Sequence, residues 1–462
     1  MTFPDFASAQ SFYIWSILIL SMVLGAVVNK TNFCTMGAVS DLVNIGDKGR
    51  LRAWVLSATV ALLGVTILEF MGVFSLNSSV PPYRGVINPQ TLENVFPWGR
   101  FVLGGFLFGI GMTLGSGCGN KTLIRIGGGN IKSIFVFVII AVIAYAMVDP
   151  FKELDVINWS AAAAPVSNDA SWYERNIDHW INVNWYASYF APWLDVASFK
   201  MSTQSDLGSI AAGVTGGSVE TMRLVFGLIV AAIALFIVFK AADFRSSFDN
   251  ILAGVVIGVI VVAAWYITSN TMVSVDGEPQ SMRTFVSESW DIEMEGEAAE
   301  AKPKNAGTNL LNTSYTFISP IGQVTGYVKE GFSINYLTFG VLAVIGVILG
   351  SFIWSLISRS FRIEWFVSLK DFIFHSIGGV LMGIGGVLGL GCTVGQAITG
   401  VSTLALGSFL VFISIVFGSA LTMKIQYYKM VYEDEAGFFK ALITSLVDMK
   451  LLPGSLRQLE AV

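Results

Sequence analysis

Three cysteines, Cys34, Cys118 and Cys392, are the residues of this 462-residue chain best suited to soft-ligand chemistry. Their wide spacing makes neither a disulfide framework nor a metal pattern, and two histidines, His179 and His375, cannot build a histidine-based metal site. Two of the thiols share a context. Residues 105–118 read GFLFGIGMTLGSGC and residues 379–392 read GVLMGIGGVLGLGC. They agree at nine of fourteen positions: Gly105/Gly379, Leu107/Leu381, Gly109/Gly383, Ile110/Ile384, Gly111/Gly385, Leu114/Leu388, Gly115/Gly389, Gly117/Gly391 and Cys118/Cys392. Each copy is an apolar, glycine-laddered stretch that stops at a thiol. A helix end of this kind, present twice, implies a two-fold site, and broken helices meeting at a repeat interface are a known way to build a binding site at mid-membrane.

The chemistry open to such a site follows from the residue types. A chain break followed by a new short helix presents free N–H groups and the positive end of a helix dipole to an anion. Gly117, Gly119, Gly391 and Gly395 allow backbone to come close to a ligand. A thiol kept from water stays protonated, so it does not repel an anion, and its S–H is a weak donor. Weak, repeated contacts suit a path that must release what it binds. Cys34, in KTNFCTMGAVSDL at residues 30–42, is a third station. Asn120, Lys121, Gln396 and Thr399 are the polar side chains near the thiols that could line the path. Plainer roles compete. A lone membrane cysteine is ordinarily a small core hydrophobe, which weighs most for Cys34. Glycine ladders mostly serve helix packing, and Lys121 and Arg125 ordinarily mark the cytoplasmic side. Gln396, Thr399 and Ser402 serve equally well as caps, and His375 reads as interfacial packing.

The elements that must position these residues are membrane helices. Hydrophobic residues make up 54% of the chain and charged ones 13%, about half the charged share of a soluble domain. The mean hydropathy is +0.68, and 47 glycines suit closely packed membrane helices. The net charge of −5 says little, because the charges lie in loops. No cleavable signal peptide is expected in MTFPDFASAQ, so the first apolar run reads as a retained helix. Apolar runs long enough for a bilayer number about nine: 12–28, 53–74, 101–114, 133–148, 224–239, 251–267, 334–357, 372–390 and 404–423. Basic residues follow alternate spans, namely Lys30, Lys48, Arg50 and Arg52, then Lys121, Arg125 and Lys132, then Lys240 and Arg245, then Arg359, Arg362 and Lys370, then Lys424 and Lys429. The positive-inside rule puts those ends in the cytoplasm, with the N-terminus outside and the C-terminus inside.

On that topology the helix before Cys118 runs inward and the helix before Cys392 runs outward. The expected fold is therefore all-α and polytopic, with two inverted repeats and broken, cysteine-ended helices. Residues 1–148 form the first repeat, 149–223 an outer insertion, 224–250 a linking helix, 251–430 the second repeat with an outer loop at 269–333, and 431–462 a cytoplasmic tail. VLGAVVNKT at 23–31 and LAGVVIGVI at 252–260 are a weaker echo of the duplication. The first insertion carries Trp159, Trp172, Trp180, Trp185 and Trp193, and the second the acidic stretch DIEMEGEAAEAKPK at 291–304. Both read as solvated loops with interfacial tryptophans, or as a cap over an outer vestibule.

Three stretches carry a family resemblance: KTNFCTMGAVSDL, GSGCGNKTLIRIGGGNIKS after the third span, and GLGCTVGQAITGVSTLALGS after the eighth. They resemble the YeeE/YedE sulfur-transport family of bacterial inner-membrane proteins, with its N-F-C element at Phe33-Cys34 and its two G-x-G-C elements ending at Cys118 and Cys392. The resemblance spans both repeats. It implies uptake of thiosulfate or a similar small sulfur anion across the inner membrane, passed among the three thiols without a cofactor, with a small cytoplasmic sulfur-carrier protein as a further partner. The chain departs from the family in its longer outer loops and in the cation of Gly119-Asn120-Lys121. Two other readings stay open: a membrane sulfurtransferase forming a persulfide on Cys118, and a transporter of another anion such as sulfite. The enzyme would need an activated thiolate and an adjacent base, for which Lys121 is the candidate. No nucleic-acid partner and no ATP-binding motif is expected.

Overall fold

The computed structural model describes residues 1–77, 79–87, 93–147, 185–290, 310, 312–432 and 436–460. Trp159, Trp172, Trp180, His179 and the acidic stretch 291–304 lie outside the described residues. The helices that matter for the site are α1 Phe6–Thr31, α2 Thr35–Ser40 (continued by a wider turn, Asp41–Ile45), α3 Gly49–Phe70, α4 Trp98–Leu114, α5 Gly119–Gly127 and α6 Ile131–Met147. They continue as α7 Leu207–Thr215, α8 Val219–Phe239, α9 Phe248–Asn270, α10 Ile318–Lys329, α11 Phe339–Ile357 and α12 Leu369–Leu388. Then come α13, spanning 393–402 with a wide turn at Gly395–Gly400, α14 Leu406–Val431 and α15 Phe438–Asp448. Among the described residues eight helices are long and apolar enough to cross a bilayer, and Ile131–Met147 is a shorter apolar one. Together they correspond one to one with the nine expected spans. The chain is a multi-pass membrane protein.

Two halves of the chain pack in matched pairs. α1 packs on α11, and α9 on α3; α4 packs on α14, and α12 on α6. The short helices follow the same exchange: α5 lies on α11 and α6, α13 on α3 and α14; α2 lies on α3 and α14, α10 on α11 and α6. α4 against α12 and α1 against α9 are the two self-paired contacts. Swapping α1–α6 for α9–α14 thus reproduces the packing. α7 and α8 stand outside this scheme. α8 rests on α3 and α7 and turns Val225, Leu228, Ile229, Ile233, Phe236 and Ile237 outward, a face suited to lipid.

The central crossing of α4 and α12 is made of backbone. A Cβ at Gly385 would stand 2.5 Å from Phe108 N and 2.7 Å from Gly104 O. One at Gly111 would stand 2.7 Å from Met382 N and 2.8 Å from Gly378 O. Small residues let the two helices touch there, which brings their ends, and so the cysteines that follow, to the middle of the molecule.

Polar contacts sort the helix ends onto two sides. Lys30 reaches Asp249 at 3.9 Å, Arg52 reaches Asp243 and Lys132 reaches Asp371, both at 2.8 Å. Asn29 donates to Ser355 Oγ at 2.9 Å, joining the end of α1 to that of α11. Among the described residues, the opposite side carries three small sheets absent from the all-α expectation. β1 Thr2–Phe3 pairs in parallel with β6 Met272–Val275, which pairs with β7 Glu278–Ser281; β2 Ser79–Val80 pairs with β8 Asn312–Thr313; β4 Asn94–Phe96 lies between β3 Val86–Ile87 and β5 Phe199–Met201. The stretch 269–333, expected to be a solvated loop, differs most. Ser314, Tyr315, Thr316, Phe317, Ile318 and Ile321 are buried in the core. The reason is length: α10 has 12 residues and polar flanks, so it gives no bilayer-length apolar run, yet its apolar face packs on α6 and α11.

Candidate functional site

Each of the three cysteines follows the same backbone turn at the end of a helix. α4 closes with Ser116 at φ 57°, α12 with Leu390 at φ 56°, and α1 with Asn32 at φ 49°. In each, the next residue's N–H reaches back five residues: Gly117 to Met112 O and Gly391 to Gly386 O, both at 2.8 Å, and Phe33 to Val28 O at 3.2 Å. This paired closure satisfies the last carbonyls of a helix. The following residue caps a new helix. Thr122 N donates to Cys118 O, Gln396 N to Cys392 O and Ala38 N to Cys34 O, all at 2.9 Å. The duplication seen in sequence is thus a local structure, and Cys34 repeats it without the glycines.

The three turns converge. Cys34, Cys118 and Cys392 are buried, free thiols, and Cys118 lies close enough to the other two to interact with both. Thr393, the first residue of α13, lies beside the Cys118 thiol, while Thr316, just before α10, lies beside that of Cys392. The Cys392 sulfur also accepts from Gly395 N at 3.5 Å. Four helix starts, those of α2, α5, α10 and α13, therefore face one interior point. Their amides and positive dipole ends suit an anion.

The same place holds an unusual set of polar atoms. Buried polar groups are as a rule hydrogen-bonded. Here Thr35 Oγ1, Asn120 Oδ1, Thr316 Oγ1, Thr393 Oγ1 and the Tyr83 hydroxyl are all buried without a hydrogen-bond partner. Tyr83 and Thr316 face each other, but their hydroxyls do not meet the geometry of an ordinary hydrogen bond. Each such orphan costs about 1–3 kcal/mol unless something binds it. Thr35, Thr316 and Thr393 were missed in the sequence reading. Cys34-Thr35 and Cys392-Thr393 form a repeated Cys-Thr pair that could have signalled two of them.

The other expected residues divide into two groups. Gly117, Gly119 and Gly391 flank the thiols, and Gly119 abuts Ile318 of α10. Lys121 donates to Asn32 Oδ1 at 2.6 Å, tying the α5 start to the α1 end, and stands near Cys34 and Cys118. Gln396, Thr399 and Ser402 spend their donors on backbone: Gln396 Nε2 on Gly389 O, Thr399 Oγ1 on Tyr315 O, and Ser402 Oγ on Thr399 O, each at 2.6 Å. These three brace the turn and α13. His375 Nδ1 lies 2.9 Å from Asp371 Oδ1 and edge-on to Phe366, away from the thiols.

A buried ion network, also missed, sits at the far end of α13 on the sheet-bearing side. Arg84 bonds Glu69 with both guanidinium ends at 2.5 and 2.7 Å and donates from Nε to Thr403 O at 3.0 Å. Arg223 reaches Glu69 at 3.3 Å and Asp206 at 3.0 Å. Burial pushes the Asp206 carboxyl up, but the Arg223 bonds and the Arg84 charge outweigh it and hold the group below its ordinary value. The network fixes Tyr83 through its neighbour. A cavity of about 590 Å³ opens nearby, lined in part by Tyr13, Phe74, Thr268, Arg283 and Asn312. Tyr13 adjoins Tyr315, whose hydroxyl bonds Ser21 Oγ at 2.8 Å.

Residues 30–421 match the protein family described as "Sulphur transport". A protein of Spirochaeta thermophila named thiosulfate transporter TsuA is 23% identical over 412 residues, covering 88% of this chain and 97% of that protein. A protein of Escherichia coli with the same name is 22% identical over 385 residues, covering 83% of this chain and 86% of that protein.

Proposed function

This chain belongs to the sulphur transport family, and from that premise we propose that it imports thiosulfate across a bacterial inner membrane. The observation that carries the reading is the meeting of three thiol-capped helix starts at one buried point. Thiosulfate has a soft terminal sulfur and hard oxygens. Neutral thiols offer a polarizable, weakly donating surface to the sulfur, and the helix starts offset the negative charge that is lost from water. The anion passes among Cys118, Cys392 and Cys34 without a covalent bond, each contact weak enough to release. The cavity at Tyr13 is the outer access, and Lys121, bonded to Asn32 beside Cys34, draws the anion toward the basic, cytoplasmic end. Gly117, Gly119 and Gly391 admit it to the backbone, and Asn120 lines the path beside Cys118. Gln396 and Thr399 hold the frame. The matched packing supports two inverted repeats, 1–148 and 251–430, joined by α8, with the N-terminus outside and the C-terminus, which follows α15, inside. Handing the sulfur to a small cytoplasmic carrier protein completes the proposal.

The test uses cells that depend on this chain for thiosulfate. Cys118→Ala and Cys392→Ala should abolish uptake, and Cys34→Ala should reduce it. Serine at either of the first two positions should not restore it, because a hydroxyl is a stronger donor but a harder one. Serine variants that carry thiosulfate at the wild-type rate would overturn the soft-anion path. Competition by sulfite, sulfate and thiosulfate at equal concentration identifies the anion.

A further inference from the structure

We propose that the start of α10, with the hydroxyls of Thr316 and Tyr83, is a fourth station of the site, and that it takes the oxygen end of a sulfur oxyanion. The inference rests on the reading above that such an anion is carried.

Its position follows from the packing exchange. α10 is to α11 and α6 what α2 is to α3 and α14, so the start of α10 is the counterpart of the start of α2. Cys34 caps α2; Phe317 caps α10, with Ile321 N donating to Phe317 O at 3.0 Å as Ala38 N does to Cys34 O at 2.9 Å. The two-fold arrangement thus has four corners, and this one has no thiol. In its place stand the Phe317 amide, directed at the Cys392 sulfur, and the Thr316 hydroxyl beside it. α10 is a 12-residue helix, long enough for its dipole to matter.

The second, independent observation is that the polar atoms are waiting. Thr316 and Tyr83 are each 4% exposed, and neither hydroxyl has a hydrogen-bond partner. Both are held in place. A Cβ at Gly391 would stand 3.0 Å from Thr316 Oγ1, so the turn is shaped around that hydroxyl. Tyr83 is fixed by Arg84, which is bonded to Glu69 and to the Thr403 carbonyl. A rigid pair of O–H donors is a hard-donor set. It complements the soft thiols on the other corners. An anion with sulfur at one end and oxygens at the other lies across the two sets in one orientation, whereas an all-oxygen anion leaves the thiol side poorly matched.

The experiment measures labelled thiosulfate uptake into proteoliposomes containing wild-type protein, Thr316→Val, Thr316→Ser and Tyr83→Phe at equal protein content. Losing one hydrogen bond to a charged group should raise KM about tenfold or more in Thr316→Val. Thr316→Ser, which keeps the hydroxyl, should recover most of that affinity, and Tyr83→Phe should raise KM as well. A purely structural role would lower the amount of folded protein or the maximal rate and leave KM where it is. KM within twofold of wild type in both Thr316→Val and Tyr83→Phe overturns the fourth station. Should Thr316→Val fail to accumulate, Tyr83→Phe alone decides by the same criterion. Absence of thiosulfate uptake by the wild-type protein would refute the proposed substrate instead, while uptake with unchanged KM in the variants refutes only the fourth station.

Discussion

Gly117 and Gly391 are the same residue in the sequence duplication, yet alanine should be tolerated at one and not at the other. Gly391 has φ +156°, a conformation that costs a side-chain-bearing residue about 1–3 kcal/mol. Its Cβ would stand 3.0 Å from Thr316 Oγ1 and 3.4 Å from Gln396 Nε2, two groups that are buried and fixed. Gly391→Ala should therefore cost about 2–4 kcal/mol, combining strain with a displaced neighbour. Gly117 does not have a positive φ. Its Cβ would meet only Lys121 Cγ at 3.0 Å and Cβ at 3.1 Å, a contact that a shift of the α5 start by a few tenths of an ångström relieves without backbone strain. Gly117→Ala should cost less than about 1 kcal/mol, helped by a less flexible unfolded chain. The assay is thermal unfolding of the two purified variants in one detergent, paired with thiosulfate uptake. Gly391→Ala should melt at least about 4 °C below Gly117→Ala and lose most uptake, because Thr316 is pushed from Cys392. Equal melting and equal uptake would refute the argument that Gly391 is shaped around Thr316.

Two further outcomes follow from the fold. A single cysteine at Glu278, in a background lacking the native three, should react with an impermeant maleimide in intact cells, and one at Lys48 only after lysis; both residues are exposed, at opposite ends of the bundle. The reverse pattern would invert the proposed topology. Arg223→Met strands Asp206 in the interior and leaves Glu69 to Arg84 alone, and should cost about 3–5 kcal/mol, as breaking a buried ion pair does. The readout is the yield of monodisperse protein on size exclusion, and a wild-type yield would show that the network does not hold the far end of α13.

What could be read from the sequence was whatever announces itself by length or by repetition. The nine apolar runs are long enough to be seen singly, and GFLFGIGMTLGSGC against GVLMGIGGVLGLGC exposes the repeat because its backbone crossing admits only glycine at Gly111 and Gly385. The site itself was half legible. Thiols after glycine breaks stand out in an apolar chain. The third copy of the turn was hidden, because Thr31 and Phe33 flank its αL residue where the other two copies have glycines on both sides. α10 was hidden because 12 residues with a proline and three glycines or threonines among them resemble a loop. Its role comes only from packing against α6 and α11. Arg84 and Arg223 were passed over because charge near a span end ordinarily means solvent, whereas here four partners meet from separate segments and neutralise one another.

The departures from two-fold equivalence have a direction. Counting from each cysteine, Lys121 corresponds to Gly395, and Arg125 to Thr399. The first half therefore places two cations on α5, beyond Cys118, with Lys121 near Cys34. The second half places none on the first turns of α13, where Thr316 lies over Gly395 instead. A symmetric site would hold a dianion with no preference for either side. This one has hydroxyls at the corner approached from the sheet-bearing end and ammonium charge at the corner nearest the basic end. Removing the charge should then flatten the gradient without emptying the site. Lys121→Gln keeps the bond to Asn32 within reach and removes the cation, so the expected result is a lower maximal uptake rate with KM changed less than threefold, about 0.7 kcal/mol. A large rise in KM at an unchanged maximal rate would instead make Lys121 a binding residue of the first encounter, and the asymmetry would not act as a driving feature.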